Sequence, residues 1–175
     1  MLKFKKNNVK NICLVGFMGS GKSIIGKDLS KLYNIEFFDS DLIIEKKVGK
    51  TINQIFRDFG EKFFREIEEE VCLNLLDKNN CVISLGGGSI TNFKIREFID
   101  KNSLSIYLKV NNNILLDRLR SSKKRPLLNK NNKKDIINNL LSEREIFYNN
   151  SDLVIDNNYG KKETIKKIKL ELNGI

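Results

Sequence analysis

Eight residues, Gly16-Phe17-Met18-Gly19-Ser20-Gly21-Lys22-Ser23, follow an apolar run, Asn11-Ile12-Cys13-Leu14-Val15, and precede a helical pattern reaching Tyr33. The spacing is G-x-x-x-x-G-K-[ST], and each fixed position has a physical task. Gly16, Gly19 and Gly21 let the backbone curl so that successive N–H groups face a phosphate chain at the positive end of a helix. Lys22 supplies a point charge for the outer phosphates, and the Ser23 hydroxyl is placed to ligate Mg²⁺. A nucleoside triphosphate site is the reading that strand, spacing, Lys-Ser pair and helix all support.

Three further clusters carry chemistry. In Phe38-Asp39-Ser40-Asp41 two carboxylates two residues apart in an extended backbone would project from the same side, at a strand end where open α/β sheets bind ligands. One could hold Mg²⁺ through water while the other accepts a substrate hydroxyl; the competing reading makes one of them a helix N-cap. Arg65 lies one turn from Glu61, Glu68 and Glu69, which suits an exposed salt-bridge net and equally suits carboxylates that orient Arg65 to grip an anion. Gly86-Gly87-Gly88 ends an apolar run at Leu85 and lets backbone approach a ligand closely.

The elements that must position these groups alternate in period. Strands are expected at Asn11–Val15, Ile35–Phe38, Cys81–Leu85, Leu104–Val110 and Leu153–Ile155. Helices are expected near Gly21–Tyr33, Ser40–Lys47, Ile52–Phe59, Lys62–Asp77, Phe93–Lys101, Ile114–Arg120, Lys134–Tyr148 and Glu163–Leu172. Short strands separated by helices predict a parallel sheet covered on both faces. Thr51 and Gln54 form a capping-box pattern, with Gly49 and Gly60 punctuating the flanks. The basic, Asn-rich stretch around Arg125-Pro126 is long and predicts a mobile lid.

Composition narrows the function classes. A chain of 175 residues is most simply one domain, 1–175, with a core large enough to need no disulfide or metal. The net charge of +10 suits an enzyme for anionic substrates and equally a polyanion binder, although Lys161, Lys162, Lys166, Lys167 and Lys169 look like one solvated helix face. The absence of histidine excludes His-based acid–base catalysis and His-ligated metal. Cys13, Cys72 and Cys81 show no C-x-x-C spacing and read as buried thiols of a reducing cytoplasm. No stretch approaches transmembrane length.

Taken in order, these motifs resemble those of the shikimate kinase family, within the nucleoside-monophosphate-kinase-like P-loop group. The matching residues are Gly16 to Ser23, Phe38-Asp39-Ser40-Asp41 with Ile44-Glu45, Ile55-Phe56, and Gly60-Glu61 through Phe64-Arg65 to Ile67-Glu68. They continue with Leu85-Gly86-Gly87-Gly88, Arg125-Pro126-Leu127-Leu128, and Arg144 with Tyr148. The resemblance implies ATP-dependent phosphorylation of the 3-hydroxyl of shikimate in the aromatic amino-acid pathway. It implies a three-layer α/β/α fold with a five-stranded parallel sheet in the order 2-3-1-4-5, a substrate region at about 39–68 and a lid at about 121–134.

By position the resemblance makes Gly19, Ser20, Gly21, Lys22, Ser23 and Ile24 nucleotide-binding, with Arg118 against adenine. Lys22 and Arg125 would neutralise the phosphates, and Ser23 and Asp39 would hold the Mg²⁺ environment. Asp41 would polarise shikimate hydroxyls, Arg65 and Arg144 would pair its carboxylate, and Gly86, Gly87 and Gly88 would line its pocket. A cytoplasmic monomer acting on a small molecule, with neither nucleic acid nor membrane as partner, is the expectation. The rivals are a gluconate or nucleotide kinase of the same architecture, and a basic nucleic-acid-binding module that retains ATP binding.

Overall fold

Buried side chains at every position of a strand, rather than at alternate ones, require a sheet covered on both faces, and the central strand meets that condition. β1 (Asn11–Val15) is buried throughout. Cys13 and Val15 join one apolar cluster, while Ile12 and Leu14 join the other. This is the signature of a parallel sheet inside a three-layer molecule.

A computed structural model describes residues 9–120 and 133–174. The elements run β1, α1 (Lys22–Tyr33), β2 (Glu36–Asp39), α2 (Ser40–Val48), α3 (Ile52–Leu76), β3 (Cys81–Ser84), a 3₁₀ turn (Ser89–Thr91) and α4 (Phe93–Asn102). They continue with β4 (Ser103–Lys109), α5 (Asn112–Arg120), α6 (Lys133–Asn149), β5 (Leu153–Asp156) and α7 (Lys161–Gly174). The strands form one sheet in the order β2-β3-β1-β4-β5, with every pair parallel. The expected order is therefore observed.

Helices α1 and α7 cover one face through Ile25, Leu29, Ile168 and Leu172. Helices α2 to α6 contribute Ile44, Ile55, Val71, Ile95, Leu115 and Ile137 to the other. The chain leaves β1 toward β2 and β3 on one side and returns to β4 on the other, so β1 sits at the switch point where such sheets bind ligands beyond the strands' carboxyl ends.

Local chemistry sets the boundaries. Asp39 caps α2 by accepting from the N–H groups of Asp41 at 3.1 Å and Leu42 at 3.5 Å. The capping box expected at α3 is present: Thr51 Oγ1 accepts from Gln54 N at 3.3 Å and Gln54 Oε1 accepts from Thr51 N at 2.8 Å. Glu45 Oε1 accepts from the next N–H, of Ile52, at 2.9 Å. Gly60 takes φ 81° and ψ 174° inside α3 and breaks its helical course, which accounts for the two helical stretches expected on either side of it.

The three cysteines are buried and unpaired. Burial pushes the Cys81 thiol up to about 11, and Cys13 and Cys72 also rise, burial being the main cause. Among the described residues no helix is long and apolar enough to cross a membrane. Lys161, Lys162, Lys166 and Lys169 are exposed on α7 as expected, and Lys161 pairs with Asp28 of α1 at 3.0 Å.

Helix α1 lies close to the sheet because position 26 carries no side chain. A Cβ there would collide with Phe37 Cε2 and come within 3.3 Å of Leu14 Cδ1. Gly26→Ala is expected to lower stability by about 1–3 kcal/mol, the usual cost of overpacking. Thermal unfolding should show a drop of roughly 2–4 °C for each kcal/mol lost. An unchanged Tm would mean that Phe37 moves aside without penalty.

Candidate active site

The loop between β1 and α1 is built from three positive-φ glycines, Gly16 (φ 142°), Gly19 (φ 80°) and Gly21 (φ 91°). L residues with side chains rarely adopt these angles, so the curl depends on glycine. Gly21 occupies the N-cap of α1 and offers no side chain to cap it. Lys22 is only 9% exposed, and its Nζ donates to the carbonyls of Gly16 at 2.8 Å and Phe17 at 3.1 Å. A cleft of about 250 Å³ opens over this loop, and its lining includes Gly19, Gly21, Lys22, Ser23, Ile24, Asp39 and Asp41. The phosphate-loop residues and the carboxylate pair thus share one cavity.

The two carboxylates do not lie on one extended segment, as their spacing suggested. Asp39 is extended (φ −118°, ψ 116°) and ends β2, whereas Asp41 lies in the first turn of α2. Ending the strand between them lets one carboxylate serve structure and site together. Asp39 Oδ1 caps α2, while Oδ2 accepts from Ser23 Oγ at 2.5 Å. The N-cap and functional readings are therefore compatible. Ser23 and Asp39 are the oxygen donors that fit a hydrated Mg²⁺, an ion that keeps several waters and takes few protein ligands. No cluster of three or more His, Cys, Asp or Glu able to hold a metal occurs among the described residues.

Beyond β3, each of the three consecutive glycines meets a different partner. A Cβ on Gly86 would lie 2.6 Å from Asp41 Oδ1 and 3.0 Å from Glu68 Oε1. One on Gly87 would lie 3.1 Å from the backbone N of Met18, in the phosphate loop. One on Gly88 would lie 2.6 Å from Arg65 Nη1. The requirement is for close approach, since none of the three has positive φ.

Arg65 Nη1 donates to Glu68 Oε2 at 2.6 Å, and its Nη2 donates to Glu61 Oε1 at 2.9 Å. Burial works against its charge, but attraction to Glu68 and hydrogen bonds to Glu68 and Glu61 outweigh it and raise the pKa above the ordinary value. Glu68 is 2% exposed, and its second oxygen accepts from Ser89 Oγ at 2.8 Å. Glu69 takes no part; it bonds Asn92 and Lys94 instead. The net of carboxylates expected around Arg65 is thus real, yet it is partly buried and aimed at the glycine run.

Arg144 on α6 is 5% exposed and donates through Nη1 to the Gly87 carbonyl at 3.3 Å. Tyr148, one turn on, donates to the same oxygen at 2.5 Å. Burial raises the Tyr148 pKa well above the usual phenol range, so the hydroxyl keeps its proton and remains a donor. Arg144 Nε and Ser20 Oγ are buried without a hydrogen-bond partner among the described residues. Buried donors of this kind suit an incoming anion. Arg118 Nη1 reaches the Gly19 carbonyl at 3.2 Å. Arg125 and residues 121–132 of the expected lid lie outside the described residues, and positions 133 and 134 begin α6.

Two contributions to the glycine run escaped the sequence reading. Ser40 is fully buried and its Oγ accepts from Gly86 N at 2.9 Å, joining α2 to the glycine run. Tyr148 stood out by position but without a role; a tyrosine one turn from a buried arginine was the available signal.

A family model described as shikimate kinase matches residues 18–173. The chain belongs to the shikimate kinase family. Shikimate kinase from Aquifex aeolicus is 39% identical over 163 residues, covering 93% of this chain and 96% of its own. A structure of shikimate kinase from Acinetobacter baumannii in complex with shikimate is similar with a TM-score of 0.90 at 36% identity, covering 95% of this chain and 94% of that one. A gluconokinase from Sinorhizobium meliloti covers 96% of this chain and 94% of its own at 15% identity, with a TM-score of 0.58, a likeness of fold alone. Membership in the shikimate kinase family carries with it the use of ATP.

The distance from Gly88 to Arg65 gives a test of the site. Gly88→Ala should force the guanidinium off Glu68 and raise the acceptor KM roughly 10-fold while the protein stays folded, since small displacements of binding groups are costly. Steady-state kinetics beside a thermal melt would check this, and an unchanged KM would separate Arg65 from acceptor binding.

Proposed function

We propose that this protein transfers the γ-phosphoryl group of ATP to the 3-hydroxyl of shikimate, giving shikimate 3-phosphate and ADP. One observation carries the reading. Across Gly86, Gly87 and Gly88, the Asp41 carboxylate, the phosphate-loop backbone and the Arg65 guanidinium lie side by side, and Arg144 bonds the middle carbonyl. Such a site suits a small acceptor that carries both a hydroxyl and a carboxylate and must bring the hydroxyl to the phosphate loop.

Phosphoryl transfer asks chiefly for positioning and charge neutralisation, and the residues divide accordingly. Gly19, Ser20, Gly21, Lys22, Ser23 and Ile24 hold the nucleotide, with Arg118 over the loop. Asp41 orients the reacting hydroxyl. Arg65 and Arg144 grip the carboxylate, the fork geometry of guanidinium being matched to two oxygens. Ser23 and Asp39 hold Mg²⁺, which supplies charge neutralisation to the phosphates. Arg125 completes that neutralisation in this reading, from a lid at about 121–134. The protein acts as a single domain and as a monomer in the cytoplasm, a setting supported by its unpaired, buried thiols.

ADP release with Mg·ATP, measured separately with shikimate, gluconate and nucleoside monophosphates, tests the substrate. Shikimate alone should support turnover, and Lys22→Ala should abolish it; turnover with gluconate or nucleotides in its place would overturn the reading. Asp41→Asn should leave nucleotide binding nearly intact and lower turnover at least ~100-fold, as expected for a group that orients the reacting hydroxyl. Near-normal turnover would remove Asp41 from the mechanism. Arg65→Lys should raise the shikimate KM with little change in that for ATP, since the two-point grip is lost; equal effects on both would argue against that role.

A further inference from the structure

We infer that Asn157, in the turn between β5 and α7, is a positioning residue that fixes the phosphate loop for nucleotide. The inference rests on the kinase reading above and deepens it. Asn157 is 4% exposed, and each of its hydrogen-bonding groups is bound to a different segment. Its Nδ2 donates to the Ser20 carbonyl at 2.6 Å, and its Oδ1 accepts from Thr164 Oγ1 of α7 at 2.5 Å. Its backbone N–H donates to the carbonyl of Lys109, at the end of β4, at 2.8 Å. Its own carbonyl accepts from Arg118 Nη2 at 3.2 Å.

The arrangement matters because a loop that receives phosphates must turn its carbonyl oxygens away from them. The C=O and N–H of a planar trans peptide point in opposite directions. Holding the Ser20 carbonyl on Asn157 therefore turns the Gly21 N–H the other way. Arg118 does the same for the Gly19 carbonyl, and Lys22 collects those of Gly16 and Phe17. Asn157 is central to this set: it holds one carbonyl directly and also carries Arg118, which holds the next. A Cβ on Gly21 would lie 3.0 Å from Asn157 Nδ2, so the contact is close as well as bonded. The Ser20 carbonyl can only accept, so Nδ2 faces it, and Oδ1 is left to the Thr164 hydroxyl, which also lies 3.0 Å from the Gly160 carbonyl and so anchors the amide to α7.

A residue that merely closed the β5–α7 turn would need the Thr164 and Lys109 bonds and not the Ser20 bond. Asn157→Asp separates the two roles. It keeps the size and the acceptor for Thr164, but sets a carboxylate oxygen against the Ser20 carbonyl. Direct titration with ADP and with ATP should show dissociation constants raised about 10-fold, the loss of one buried hydrogen bond. The shikimate KM should stay within about 2-fold of the unaltered protein, since the acceptor groups lie elsewhere. Thr164→Val, which removes the hydroxyl that anchors Oδ1, should weaken nucleotide binding in the same selective way by a smaller factor.

A folded Asn157→Asp protein with unaltered nucleotide affinity would overturn the inference. So would parallel losses for nucleotide and shikimate with a lowered Tm, the pattern of a general structural role. If Asn157→Asp fails to fold, Thr164→Val decides, and unchanged ADP affinity there counts against the inference. ADP titration needs no acceptor. A failure of the unaltered protein to phosphorylate shikimate would thus sink the proposed function and leave this comparison readable.

Discussion

The backbone leaving β3 must pass between the phosphate loop, the Asp41 carboxylate and the paired Arg65 and Glu68, and space for it exists only because residues 86 to 88 carry no Cβ. Packed interiors rarely leave room for an added methyl group. Here the want of room is a constraint on several elements together, because the groups pressing on the run come from the loop after β1, from α2 and from α3. Each of these elements is fixed by its own core contacts, and the glycine run is where their positions are reconciled.

Electrostatics follows from that crowding. Buried charges are tolerable when each is paired and its remaining hydrogen-bonding capacity is used. Glu68 meets the condition fully, with Arg65 on one oxygen and Ser89 on the other. Asp39 meets it by dividing its oxygens between the cap of α2 and Ser23. Arg144 meets it only in part, since its Nε has no partner among the described residues. The incompletely satisfied donor lies beside the glycine run, where an acceptor's carboxylate would supply the missing bond. On the proposed reading, stability and function are thus kept on different atoms of neighbouring residues.

Much of this was legible in the chain itself. Consecutive apolar residues in β1, the spacing of the phosphate-loop glycines and the Thr51–Gln54 pair are local signals, and local signals survive in sequence. The sheet order came from the resemblance, because periodicity says that strands alternate with helices and leaves their lateral arrangement open. Arg65 stayed ambiguous for a physical reason: spacings of three and four on a helix serve an exposed ion pair and a buried anchor equally, and burial is decided by the rest of the fold. The carboxylate pair was misplaced on one extended segment because the strand ends at Asp39, where that side chain caps the helix carrying Asp41. Ser40, Tyr148 and Asn157 act through contacts with residues 46, 61 and 137 positions away, and such contacts leave no mark on neighbouring residues.

The break at Gly60 bears on how freely the sequence around it can drift. In an unbroken helix, gaining or losing one residue turns everything beyond it by about 100° around the axis. Such an error upstream would carry Arg65 away from Gly88. Glu61, Arg65 and Glu68 all follow Gly60, where helical φ and ψ are interrupted. A change of length in the Ile52–Phe59 stretch can be absorbed at the break before it becomes rotation of the arginine. The glycine acts as a register buffer: Ile55 keeps its place in the core from the first part of α3 while Arg65 keeps its bearing on Gly88 from the second, and neither has to set the rotation of the other.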